Sequence, residues 1–139
     1  MSVEDVMLDV SWRVFEESMD DKREIEQKAS VILASAGILA GLSSNAGYLL
    51  PVIIASVSAL FATLTLTVRK YRRLMINKVL NEVKKSEDVD ELKRTIVATL
   101  GDCEEFNLHN ISRSARFLKI SIWTFLFSII SLLFSLIFL

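Results

Sequence analysis

Ser121, Thr124, Ser128, Ser131 and Ser135 recur in steps of three and four along a C-terminal stretch without a single charge. At helical pitch that spacing sets all five hydroxyls on one face. The same steps taken backward reach Phe117, Ser114, Asn110, Asn107 and Cys103. Small polar side chains in apolar surroundings have two uses. They can bond to carbonyls one turn back and let helices approach closely. Alternatively, symmetry copies of the face can surround a water-filled path. The sequence leaves both open. In the second use Ser121, Thr124, Ser128, Ser131 and Ser135 line a pore, and Asn107, Asn110 and Ser114 form a wet vestibule. Phe117, the one bulky apolar residue on the stripe, is then the gate that closes by dewetting.

Other chemistry is sparse. His109 is the only histidine and Cys103 the only cysteine, which excludes an internal disulfide and a multi-cysteine metal site. The apolar runs contain no Asp, Glu, Lys or Arg, the residues that intramembrane proton relays and charged-substrate sites require. No Gly-rich phosphate loop or metal-ligand spacing occurs. The expectation is a non-enzyme with no cofactor and no metal. A net charge of −1 gives no global basic field to draw nucleic acid.

The elements that must carry the stripe follow from where charge is excluded. Hydrophobic residues make up 52% of the 139-residue chain and charged ones 24%, and the two segregate into blocks. Residues 29–44, 47–68 and 120–139 are apolar runs; the second and third are long enough to cross about 30 Å of hydrocarbon as helices. Only "SSNAG" separates the first two, so they form an antiparallel hairpin turning at Asn45 and Gly47. Pro51 falls in the first turn of the second helix, where a missing N–H is harmless. The first run carries Gly37 and Gly41 in a G-x-x-x-G spacing, a helix-packing pattern that serves contacts within one subunit or between subunits. The start "MSVEDVMLDV" lacks a signal peptide's basic-then-apolar layout, so all 139 residues are read as mature protein.

All 16 Lys and Arg lie in residues 1–28 or 69–119. The positive-inside rule puts those segments in the cytoplasm, giving N-terminus in and C-terminus out. Arg69, Lys70, Arg72 and Arg73 directly follow the second run and suit anionic lipid headgroups. Residues 1–28 carry two apolar stripes at helical spacing: Val3, Met7, Val10 and Val14, and Leu8, Trp12, Phe15 and Met19. This predicts a helix with two buried sides, continuing into the first run. Past the second run Ile76, Val79, Leu80 and Val83 form a stripe among basic neighbours. A turn at 86–90 is followed by a short helix that ends at Gly101, and Asp102 starts the last helix. The fold class is an all-α membrane protein: three transmembrane helices extended into a cytoplasmic helical bundle with one extra short helix. Its segments are a cytoplasmic N-terminal amphipathic helix (1–28), a transmembrane hairpin (29–68), a cytoplasmic helical region (69–119) and a third transmembrane helix (120–139). The arm 1–28 has 9 Asp/Glu against 4 Lys/Arg, while residues 69–116 have 11 Lys/Arg against 8 Asp/Glu, an imbalance that favours their docking.

The stretch "DDKREIEQKASVILASAGILAGLSS", residues 20–44, resembles the start of small membrane effectors of prokaryotic anti-phage defence, the Pycsar-type transmembrane effectors and the related SLATT group. In those a charged helix ends in a Lys-Ala pair, here Lys28 and Ala29. A small-residue-rich first span with a central glycine follows, here Gly37, and a second span comes soon after. Asn107, Asn110 and Arg116 are similar to the polar part of the returning helix. The resemblance implies a homo-oligomeric pore or channel-like effector in the inner membrane, triggered through its cytoplasmic region by a signalling partner or a nucleotide signal. The sequence departs from that pattern in that no separate nucleotide-binding domain is read in it, so the expected trigger is a partner protein, a ligand of the cytoplasmic bundle or membrane tension. The alternative reading is a membrane-anchored interaction module whose arm recruits a cytoplasmic partner.

Overall fold

The structure, a computed structural model, describes residues 2–68 and 88–138. These form three α-helices: α1 (Val3–Asn45), α2 (Leu49–Thr67) and α3 (Val89–Phe138). All three are long and apolar enough to cross a membrane. The continuation of the second helix past residue 68, the stripe Ile76–Val83 and the basic residues Arg69, Lys70, Arg72 and Arg73 lie outside the described residues.

Helix ends follow local chemistry. Ser2 caps α1: its Oγ accepts from the Asp5 N–H (3.2 Å) while the Asp5 carboxylate accepts from the Ser2 N–H (3.0 Å), a reciprocal capping box. At the other end Tyr48 N–H donates to the Ser43 carbonyl (2.9 Å) and Gly47 N–H to Ser44 (3.1 Å). Gly47 has φ +76°, the only left-handed residue among those described. This pairing is a Schellman stop, which needs a residue without a Cβ penalty. It turns the chain into α2 within three residues, as the "SSNAG" connection requires. The Asp88 carboxylate accepts from the Asp90 N–H (3.1 Å) and starts α3.

The sequence placed a helix end at Gly101 and a new start at Asp102. The structure corrects this: α3 runs unbroken through both, so no separate short helix stands there. An interior glycine costs a helix about 1 kcal/mol. Leu100 and Cys103, both buried on one side of Gly101, outweigh that cost by packing.

The chain divides into two compact units, Met1–Lys22 with Lys70–Ile111 and Arg23–Arg69 with Ser112–Leu139, called here the charged and the apolar unit. In the charged unit the covered row of α1 is Glu4, Leu8, Ser11, Phe15 and Ser18; that of α3 is Lys93, Ile96, Leu100, Cys103 and Asn107. Both rows step by three and four, the heptad spacing of helices that wind around each other. Val3, Met7, Val10 and Trp12 are exposed, so of the two stripes expected to be buried, only Leu8, Phe15 and Met19 of one and Val14 of the other are partly covered.

In the apolar unit the seams are made of small side chains. The buried residues are Ala29, Ala36 and Ser43 on α1; Pro51, Ala55, Ser58, Ala62 and Thr65 on α2; Ser114, Leu118, Ser121, Ser128 and Ser135 on α3. Ser114, Ser121, Ser128 and Ser135 are each seven residues apart, one heptad position repeated. The large apolar residues Ile38, Leu60, Trp123, Phe127, Phe134 and Phe138 are exposed instead. A water-soluble bundle puts large apolar residues inside. The inversion is what a lipid solvent selects, because close approach of small residues then drives helix contact.

Candidate functional site: the hydroxyl seam

The hydroxyl face of α3 meets α2 of the same chain. Ser121 Oγ donates to the Ser58 carbonyl (2.8 Å) and Ser58 Oγ donates to the Ser121 carbonyl (2.8 Å), with the two Oγ atoms 3.3 Å apart. Seven residues later on α3, Ser128 Oγ donates to the carbonyl of Pro51, seven residues earlier on α2 (2.8 Å). The helices are therefore antiparallel, and each bond joins a side chain on one helix to the backbone of the other. Such bonds form only where backbones lie close, which the alanines of α2 permit. The Pro51 carbonyl lies in the first turn of α2, where carbonyls are already engaged within the helix, and it takes the hydroxyl on its second lone pair.

The other positions of the stripe behave differently. Thr124 Oγ1 donates to the carbonyls of Ile120 and Ser121 (both 3.0 Å), and Ser135 Oγ to that of Ser131 (2.9 Å). The same back-bonding occurs at Ser56, Thr63 and Thr67 on the exposed side of α2. Among the described residues three hydroxyls, those of Ser43, Ser114 and Ser131, are buried with no hydrogen-bond partner. Phe117 is half-buried: its ring lies 6.4 Å from that of Phe61, tilted by 38°, with the Arg113 guanidinium 5.8 Å from its centroid. A cation over an aromatic face is attracted by the ring quadrupole. Asn110 is half-buried and Asn107 is wholly buried in the charged unit.

Of the residues read as pore-lining, Ser121 and Ser128 are thus spent on contacts within one chain, and Thr124 and Ser135 on their own helix. The packing use of the stripe is the one the single chain displays. Gly37 and Gly41 face the other way: both are exposed, and a Cβ built at either would meet nothing within 4 Å. The close approach of α1 within the chain runs through Ala29, Ala36 and Ser43 instead. What sequence reasoning missed was the α2 partner row Pro51, Ala55, Ser58, Ala62 and Thr65. Its 4–3–4–3 spacing is present in the sequence, one helical step away from the more hydroxyl-rich row Ser56, Ala59, Thr63 and Thr67.

Electrostatics concentrate in the charged unit. Lys93 Nζ donates to Asp5 Oδ1 (2.6 Å) and Arg94 Nη2 to Glu4 Oε1 (3.2 Å), tying the start of α1 to the start of α3. The bond from Lys93, helped by the Ser2 N–H, holds the Asp5 carboxyl down at about 2, against an ordinary 3.8. Glu4 is lowered by a backbone hydrogen bond and then by Arg94, and Lys93 is raised, chiefly by Asp5. A depressed carboxylate contributes stability that is full above its unfolded pKa and lost as pH falls through the folded one. Protection of the α1 amides against hydrogen exchange is therefore expected to fall between about pH 4 and pH 2. Asp5→Asn should weaken that dependence, leaving the part owed to Glu4, and should reduce protection at pH 7 only slightly, because these pairs are at the surface. An unchanged acid profile in Asp5→Asn would assign the transition to other carboxylates.

Among the described residues no group of His, Cys, Asp and Glu is arranged to hold a metal ion. Cys103 is buried as a free thiol. No protein-family model matches this chain, and neither a curated protein nor a solved structure matches it.

Proposed function

We propose that the chain is a multi-pass membrane-anchored interaction module, with the apolar unit as its anchor and the charged unit as the part that meets partners in the cytoplasm. The observation that carries this reading is the reciprocal Ser58–Ser121 bonding, continued at Ser128: the hydroxyls that a pore would need are closed against α2 of the same chain. Orientation follows from the Lys and Arg distribution, which favours N-terminus in and C-terminus out across the plasma (inner) membrane. Membrane lipids are then its first partners, and homo-oligomers can form through the open Gly37 and Gly41 face.

One observation favours a second reading, an effector that permeabilises the membrane when triggered, as the resemblance to Pycsar-type and SLATT effectors implies. Ser114 and Ser131 belong to the same seam yet have no hydrogen-bond partner. A buried unpaired hydroxyl costs about 1–3 kcal/mol, and an opened, hydrated seam relieves it. The closed bundle is then the resting state of a latent pore. Dye release from liposomes, with crowding of the protein taken as the trigger, tests the second reading against the first. For the anchor, purified protein at high density releases entrapped dye no faster than protein-free liposomes. Release that rises steeply with protein density would overturn the anchor reading and establish the pore.

A further inference from the structure

The last charges on α3 before its apolar run are cations without an acidic partner. No Asp or Glu follows Glu105, so Arg113, Arg116 and Lys119 have no carboxylate on their own stretch of helix. Arg113 rests on the Phe117 ring; Arg116 and Lys119 are exposed. Among the described residues Arg13, Lys28, Lys93 and Arg94 each reach a carboxylate, whereas Arg116 and Lys119 meet none. The apolar unit as a whole holds six Lys/Arg against two Asp/Glu. Those two are already engaged, Glu24 with Lys28 and Glu26 in a contact of its own. Residues 69–85 hold seven Lys/Arg and one Glu, a net charge of the same sign, so they offer no net acidic cover.

Arg116 and Lys119 open a row that continues in helical steps of three and four through Trp123, Phe127, Ile130 and Phe134. Those four apolar side chains are each more than half exposed. One face thus seeks an anion at one end and hydrocarbon along the rest, and the join is an indole, a side chain that favours the headgroup level. A guanidinium holds a phosphate bidentately, and a lysine stem lies on apolar surface while its ammonium stays in the polar layer. An anionic phospholipid carries these two chemistries in this order. A soluble phosphate or an acidic protein surface carries only the first, and a zwitterionic lipid brings a cation of its own. From the unpaired cations and the row below them we infer that this face of α3 binds an anionic phospholipid of the cytoplasmic leaflet, its phosphate on Arg116 and Lys119 and an acyl chain along Trp123, Phe127 and Ile130. This rests on the reading of the apolar unit as a membrane anchor with its Lys and Arg in the cytoplasm, and adds to it the site and the headgroup charge of one lipid.

The test uses the full chain carrying Trp12→Phe, which leaves Trp123 as the sole tryptophan and a reporter on the row itself. It is reconstituted in phosphatidylcholine bilayers with a small, fixed fraction of one lipid brominated near the top of its acyl chains, either phosphatidylglycerol or phosphatidylcholine. Contact with bromine quenches the indole. The anionic lipid should be enriched at Trp123 at least about fivefold over the zwitterionic one, the factor that one Lys or Arg contributes near an anionic surface, and the excess should shrink with salt. Arg116→Gln with Lys119→Gln, both at exposed positions, should remove most of that excess with helix content unchanged. Val31→Trp, in a chain with Trp12→Phe and Trp123→Phe, reports the exposed side of α1 just past the paired Lys28, and both lipids should quench it equally. Equal quenching of Trp123 by the two lipids, an excess that survives the double glutamine variant, or the same excess at position 31 overturns the inference and leaves the anchor standing. Loss of the excess to inorganic phosphate at matched ionic strength also overturns it, since the site then takes soluble phosphate. No quenching by either lipid sinks the anchor reading and this site together.

Discussion

Ser121→Leu is expected to separate α2 from α3 and to destabilise the fold by about 2–4 kcal/mol. Overpacking a filled site costs about 1–3 kcal/mol, and each interhelical hydroxyl bond lost within a membrane protein adds about 0.6 kcal/mol on average. Ser121 is fully buried and takes part in two interhelical bonds, one through its hydroxyl and one through its carbonyl. A leucine there loses the first and, by pushing the backbones apart, breaks the second. Ser121→Ala keeps the close approach and should cost no more than about 1 kcal/mol. Ser56→Leu is the matched control: Ser56 lies on the exposed side of α2 and bonds only to the Val52 carbonyl, so an added side chain meets solvent hydrocarbon. Unfolding in mixed micelles by SDS titration reads all three. If Ser121→Leu proves as mild as Ser56→Leu, the α2–α3 seam is not where the stability of this unit resides.

The ordering of these variants depends on a feature that sequence periodicity carries only in part. A 3–4 stripe says which residues share a face, and it placed Ser114, Ser121, Ser128 and Ser135 together correctly. It does not say what stands opposite. The same pattern serves a sister copy, a neighbouring helix or water, and the choice rests on contacts between residues such as Ser58 and Ser121, 63 positions apart. Local signals did better where local chemistry decides. Gly47 as a turn residue, Pro51 in the first turn, and a single helix from residue 3 through the first apolar run all stand in the structure.

The misplaced break at Gly101 shows the converse. Its propensity penalty is about 1 kcal/mol, less than what burial of Leu100 and Cys103 supplies. The apolar stripe Val3, Met7, Val10 failed for another reason. Amphipathicity was read as burial, whereas the covered row of α1 in this unit begins with Glu4, held by Arg94, and passes through Ser11 and Ser18. Mixed-polarity rows are invisible to a search for hydrophobic residues, and they are how α1 meets α3.

A disulfide replacing the Ser58–Ser121 pair is expected to form almost completely, and it separates an anchor from a latent pore more sharply than any single substitution. The two Oγ atoms lie 3.3 Å apart across the seam, so the sulfurs of Ser58→Cys and Ser121→Cys stand close to bonding distance after small rotamer changes. Cys103, the only native cysteine, is removed in the background as Cys103→Ala. Mild oxidation should give one cross-linked monomer on a gel, reversed by reductant. A ladder of dimers and higher species instead would mean that α2 of one chain packs on α3 of another. The cross-link also fixes the seam closed. If the apolar unit only anchors, oxidised and reduced protein behave alike in liposomes and neither releases dye. If opening of this seam is how the membrane is breached, release occurs in the reduced protein at high density and is abolished on oxidation, because water cannot reach Ser114, Ser121 and Ser128 while the two helices are covalently joined at residues 58 and 121. The same protein in two redox states thereby assigns the hydroxyl row either to structure or to permeation, with no change of fold between the samples.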